Sequence, residues 1–139
     1  MNTIKNNEIL KTTITQDGIF RLVLSNPNNH NALSEEMMSN IQSALDESVI
    51  TKRIRVIIIS AEGPTFSAGH DLKELNKERQ NSDNGKSYYQ KIMKKCSKLM
   101  QTIVNNPKPV IAEINGVATA AGCQLVASCD LAYASNSSQ

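Results

Sequence analysis

The sequence predicts an α/β fold, and three observations carry that prediction. Residues 54–60, centred on Val56-Ile57-Ile58-Ile59, are apolar on both alternating faces, which marks a strand covered on both sides, as in a parallel sheet. Residues 110–114 (Val-Ile-Ala-Glu-Ile) read as another buried strand. Between them, residues 88–104 place Tyr89, Ile92, Met93, Cys96, Leu99, Met100 and Ile103 on one helical face, so strand and helix alternate.

The other elements follow in order. Residues 8–15 alternate loosely between apolar and polar, Asp17-Gly18 is a hairpin signal, and residues 19–24 form the second strand of the hairpin. Ser25-Asn26-Pro27-Asn28-Asn29 interrupts the pattern as a loop. Ser34 is a helix N-cap, with Glu35 and Glu36 at the positive end of the dipole. Met37, Ile41, Ala44, Leu45 and Ser48 or Val49 then share a face. A short helix starts near Asp71, and residues 76–87, polar and holding Asn, Ser, Asp and Gly, are expected as a mobile loop. Residues 105–109, with two prolines, stop the long helix. Asn115-Gly116 turns the chain, residues 122–128 read as a short buried helix, and residues 131–134 as the next strand.

The 139 residues suffice for one domain with a core, and 40% hydrophobic with 20% charged residues is a globular composition. The balance of 15 basic and 13 acidic residues gives no electrostatic argument for nucleic acid or an anionic membrane. Cys96, Cys123 and Cys129 form no CxxC pair, and only two histidines accompany them, so buried reduced thiols are expected rather than a metal site. The N-terminal stretch has neither the apolar core of a secretory signal nor the arginines of a transit peptide, and no apolar run reaches membrane-spanning length. A cytoplasmic protein is the resulting expectation.

Two segments invite a chemical reading. Ser67-Ala68-Gly69-His70-Asp71-Leu72-Lys73 follows the first buried strand, and Gly116 to Gln124 follows the second. Both put small residues between a strand and a helix start. Small residues let a ligand approach the backbone, and helix starts offer unpaired N–H groups with a partial positive charge. Two such sites aimed at one point would make an oxyanion hole. Equally, small residues there simply let helix and strand pack closely. The Gly116–Gly122 stretch lacks the GK[ST] of a phosphate loop, and neither GxGxxG nor GxSxG occurs.

Four stretches together resemble the crotonase (enoyl-CoA hydratase/isomerase) family. They are Pro27 with Asn31-Ala32-Leu33; Phe66-Ser67-Ala68-Gly69-His70-Asp71-Leu72; Pro109-Val110-Ile111-Ala112 with Asn115-Gly116; and Ala121-Gly122-Cys123-Gln124-Leu125 with Cys129-Asp130. The resemblance implies a crotonase-like spiral of ββα turns, of which residues 1–139 form the N-terminal part only, a single incomplete domain. It implies oxyanion donors at the backbone N–H groups of His70 and Ala121. It implies acyl-CoA contacts at His30, Ala32, Ala68, Gly69, His70, Asp71, Leu72 and Gly122, with Lys73 near the CoA phosphates or simply solvated on a helix face. No cofactor beyond the CoA thioester substrate is implied, and the partner expected is a further copy of the chain, as a trimer or hexamer.

Two neutral N–H donors suit a thioester enolate, because they stabilise its oxygen without titrating. The His70 imidazole could also act as a general acid or base near neutral pH; Asp71 is better read as a helix cap. Hydratases of the family use two glutamates to deliver water. The first falls on Gln124, whose amide can orient a water but not take its proton, and the second would lie beyond Gln139. The expectation is an acyl-CoA-processing enzyme of fatty-acid metabolism for which hydration is doubtful, the alternatives being a non-catalytic acyl-CoA binder or an inactive truncated relic.

Overall fold

In the computed structural model, which describes the backbone of residues 3–6 and all of residues 8–139, strand and helix alternate as expected. A six-stranded mixed sheet is built from β1 (Thr3–Asn6), β2 (Leu10–Ile14), β3 (Ile19–Leu24), β4 (Val56–Ala61), β6 (Val110–Ile114) and β8 (Leu131–Ala134), in the order β1-β2-β3-β4-β6-β8. A separate parallel pair joins β5 (Thr65–Ser67) to β7 (Val117–Ala118). The helices are α1 (Glu35–Ile50), α2 (Leu72–Glu78), α3 (Lys86–Val104) and α4 (Ala121–Ser128). Strands β1, β5 and β7 have no counterpart in the sequence reading. The reading of the N-terminus as no leader falls partly on residues 1, 2 and 7, which lie outside the described residues.

Strands β1, β2 and β3 pair antiparallel, whereas β3, β4, β6 and β8 run parallel. On one face the register stacks Phe20, Ile57 and Val110, then Leu22, Ile59 and Ala112, and all six side chains are buried. Met37, Met38, Ile41 and Leu45 of α1 and Ile92, Cys96, Leu99 and Ile103 of α3 join the same core. The opposite face departs from the expected two-sided cover. Val56, Ile58 and Ile111 are only half-buried. Above Ile58, Arg21 of β3 makes a two-bond pair with Glu113 of β6 at 3.2 Å. Both partners stay wet, so the pair contributes about 1 kcal/mol or less.

Ser34 caps α1 as expected, its side chain accepting from the Met37 N–H at 3.1 Å. Ser48 takes the buried position and Val49 faces water. Met93 is 47% exposed, against the expectation that it joins the α3 core face. The loop foreseen over 76–87 shrinks to 79–85. There Asp83 accepts from the N–H groups of Gly85 and Ser87 and ties the start of α3. Only one face of α4 is buried, through Ala121, Gly122 and Leu125. Among the cysteines Cys96 is buried, Cys129 half-buried and Cys123 exposed, which corrects the expectation for Cys123. Burial and the neighbouring Asp130 push the Cys129 thiol up to about 12, so it stays protonated.

The parallel strands place the site. Because β4 and β6 are parallel neighbours, the segments leaving their C-terminal ends emerge at the same end of the sheet, where ligands of open α/β sheets bind. Gly116 makes the turn after β6 at φ +84°, and a Cβ there would lie 1.9 Å from the Pro64 carbonyl oxygen. Gly116→Ala is therefore expected to cost more than about 2 kcal/mol in urea unfolding. An unchanged midpoint would contradict this packing.

Candidate functional site

The site is assembled from three segments: the loop before α1, the link from β5 to α2, and the link from β7 to α4. The first is fixed by Asn31, fully buried and left-handed at φ 48°. Its carboxamide accepts from the Asn26 N–H at 2.7 Å and donates to the carbonyls of Glu62 at 2.9 Å and Thr65 at 2.7 Å. Asparagine tolerates left-handed backbone and offers both a donor and an acceptor, so few other residues would satisfy this position. The loop is stitched to the second segment by Ala68 N–H to the His30 carbonyl at 3.1 Å and Leu33 N–H to the Gly69 carbonyl at 2.7 Å. The Asn29 carboxamide adds a bond to the Asp71 carboxylate at 2.7 Å.

Asp71 is the N-cap of α2, as expected, accepting from the N–H groups of Lys73 at 2.8 Å and Glu74 at 3.4 Å. These contacts occupy its carboxylate with structural work. Between the first two segments lies a cleft of about 180 Å³. Of the residues expected to meet acyl-CoA, it is lined by His30, Ala32, Ala68, His70, Asp71, Leu72 and Lys73, with Asn29 added. Gly69, Ala121, Gly122 and Gln124 are not part of its wall. Gln124 stands exposed on α4.

The second and third segments are pressed together. A Cβ on Gly122 would lie 2.2 Å from the Ser67 carbonyl oxygen. One on Gly69, at φ +90°, would lie 2.9 Å from the Ala120 Cβ and 3.0 Å from the Ala121 nitrogen. The Thr119 N–H donates to the Ser67 carbonyl at 3.1 Å across this contact. The packing role foreseen for the small residues is therefore realised, and it brings the backbone of residues 67–70 against that of 119–122. Ala120 enters α4 at φ 50°, ψ −126°, a conformation costly for a residue with a Cβ. It supplies no side-chain cap. The N–H groups of Gly122 and Cys123 return to the Thr119 carbonyl. Among the described residues, the N–H groups of His70 and Ala121 meet no protein acceptor.

The His70 ring sits half-buried in the cleft wall. Its Nδ1 is sealed from solvent without a hydrogen-bond partner. Burial holds the imidazole pKa below its ordinary value, and the Leu33 backbone carbonyl opposes this more weakly.

Asn29, Asn31 and Ala120 escaped the sequence reading as site-forming residues. The two asparagines carry a weak signal, in a turn-forming run next to Pro27; alanine at a left-handed position carries none.

A sequence profile of the enoyl-CoA hydratase/isomerase family matches residues 14–139. The rat protein named enoyl-CoA hydratase domain-containing protein 3, mitochondrial, is 50% identical over 129 residues, which are 93% of this chain and 41% of that protein. The crystal structure of the human protein of the same designation superposes with a TM-score of 0.81 at 47% identity, over 99% of this chain and 49% of the other. An enoyl-CoA hydratase structure from Mycobacterium smegmatis gives a TM-score of 0.86 at 38% identity, over 95% of this chain and 49% of the other. The chain thus spans less than half the length of these relatives. Its fold is the crotonase-like one that the sequence implied. The rat protein's name places that protein in the mitochondrion. Among the described residues no helix is long and apolar enough to cross a membrane.

Two outcomes follow from the site's construction. Asn31→Ala strands an N–H and two carbonyls in the interior and is expected to cost about 2–4 kcal/mol in chemical denaturation; a loss under about 1 kcal/mol would contradict the assigned bonds. For His70, the unfolded chain takes up a proton near pH 6.5, before the buried imidazole does, so stability falls as pH drops below about 6.5. Wild type is expected to lose more stability than His70→Gln between pH 7.5 and 5.5. Parallel curves for the two proteins would contradict the burial argument.

Proposed function

The chain belongs to the enoyl-CoA hydratase/isomerase family, and we propose that it binds acyl-CoA thioesters and holds the carbonyl oxygen, as it becomes an enolate, between the backbone N–H groups of His70 and Ala121. The observation that carries this reading is the packing of the two strand-to-helix links against each other, with both N–H groups left without a protein acceptor among the described residues. Each preorganised donor is worth about 3 kcal/mol to a transition state in which charge builds on oxygen, because no dipole has to turn at the moment of reaction.

The cleft beside these amides suits the CoA portion. His30, Ala32, Ala68 and Leu72 offer backbone and apolar surface there, and Lys73, exposed at the first turn of α2, offers a positive charge to a phosphate. Gln124 is the point of departure from a hydratase. As a neutral amide it can align a water but cannot receive the proton that addition to a double bond releases. Chemistry that needs the enolate more than it needs a carboxylate at this position is therefore favoured. The same residue supports a second reading, in which the protein binds acyl-CoA without turning it over.

Titration with a saturated acyl-CoA tests the binding claim. At a hundredfold excess over Kd the native state gains about 2.7 kcal/mol, which raises the melting temperature by several degrees. The absence of a shift with any CoA thioester would remove both the enzymatic and the binding reading. Crotonyl-CoA hydration separates the two. Gln124→Glu is expected to raise hydration at least tenfold over wild type. Efficient hydration by wild type, unaffected or lowered by Gln124→Glu, would show that position 124 does not limit the reaction.

A further inference from the structure

Enolate formation needs a group to take the proton from the carbon next to the thioester carbonyl, and Gln124 cannot supply it. The geometry points to the imidazole of His70 as that group, the proton-carrying base of the thioester site. This rests on the function proposed above and adds a catalytic residue to it.

The residue proposed to present its N–H to the oxyanion also carries the ring, so ring and donor N–H are held a few bonds apart on one residue. The ring lines the cleft. Its Nδ1 is sealed from solvent without a hydrogen-bond partner. A neutral imidazole carries a proton on one ring nitrogen and a lone pair on the other, and that lone pair can accept a further proton.

The other ionisable groups around the cleft are less suited. The Asp71 carboxylate is occupied by the N–H groups of Lys73 and Glu74 and by Asn29. Lys73 is exposed on the first turn of α2 and is assigned to a CoA phosphate in the function proposed above. His30, on the loop before α1, lines the same cleft but is exposed to solvent. Glu74 of α2 accepts from the Glu35 N–H at 3.0 Å, and Glu35 pairs with Lys91 and Lys95 of α3. On α4, Cys123 and Gln124 stand exposed. Burial keeps His70 in the neutral, proton-accepting form at pH 7.

The step balances without a further reactant. With a 3-enoyl thioester, the C2–H bond breaks and its electron pair moves into the C1–C2 bond, placing charge on the thioester oxygen. The proton passes to the unprotonated ring nitrogen of His70, giving an imidazolium. It returns to C2, exchanging with solvent, or to C4, which moves the double bond into conjugation. Nothing is oxidised or consumed.

The test uses 3-hexenoyl-CoA in deuterated buffer with the full chain, following deuterium at C2 and C4 by mass spectrometry and thioester affinity by calorimetry. Wild type is expected to incorporate deuterium. His70→Gln, which keeps the backbone N–H but has no basic nitrogen, is expected to slow incorporation at least about a hundredfold while affinity changes by less than about threefold. In His70→Ala, added imidazole is expected to restore part of the rate, a result that a purely structural histidine would not give. The wild-type rate should rise with pH to a plateau, with its inflection below about 6.5; this profile carries the test where the variants do not fold. A wild-type rate flat between pH 5 and 8, equal incorporation by His70→Gln, or thioester binding without incorporation would each overturn the role of His70. Failure of wild type to bind any thioester would instead overturn the proposed function, and this inference with it.

Discussion

Two backbones meet more closely at Ser67–His70 and Thr119–Gly122 than side chains would allow, and the rest of the site hangs on that approach. Gly122 lies against the Ser67 carbonyl, where a methyl group would stand 2.2 Å from oxygen. Gly69 lies against Ala120 and the Ala121 nitrogen. The contact arises because β4 and β6 are parallel neighbours and deliver their following segments to the same end of the sheet. The β5–β7 pair then holds the segments side by side. Packing density and site formation are therefore one requirement: any side chain that separates the segments also separates the amides of His70 and Ala121.

Around this contact the protein spends its polar groups on rigidity. Asn31 ties three backbone groups together in the interior, Asp71 caps α2 and holds Asn29, and Asp83 secures the start of α3. Ala120 keeps a left-handed entry to α4 that alanine does not favour. Strain of about 1–3 kcal/mol persists only where surrounding structure imposes it, and here it sits on the residue before the Ala121 amide. The site that results is mostly neutral backbone, with His70 as its half-buried ionisable ring.

Much of this was legible in the sequence. Strand β3 and strand β6 fall on the expected residues, because continuous or alternating apolar runs bounded by turn residues have few other readings. The caps at Ser34 and Asp71 were readable from residue type and place. The failures are equally physical. Strands β5 and β7 are too short for periodicity and exist through each other. Met93 carries the helical spacing of a core residue, but tertiary packing leaves its edge of α3 uncovered. Of the expected ligand set, the residues on the first two segments line one cleft, whereas Gly69 and Gly122 serve close packing and Gln124 projects into solvent. Sequence spacing could not distinguish these roles, because a glycine that admits a ligand and one that admits a neighbouring backbone look alike.

The central claim is that two amides from separate segments act on one oxygen. Amide chemical shifts of the 15N-labelled protein report on it directly. Titration with an acyl-CoA thioester should move the His70 and Ala121 resonances downfield together and further than any others, and coenzyme A without its acyl group should leave both nearly in place. Equal responses to the two ligands, or movement of one amide without the other, would contradict the account.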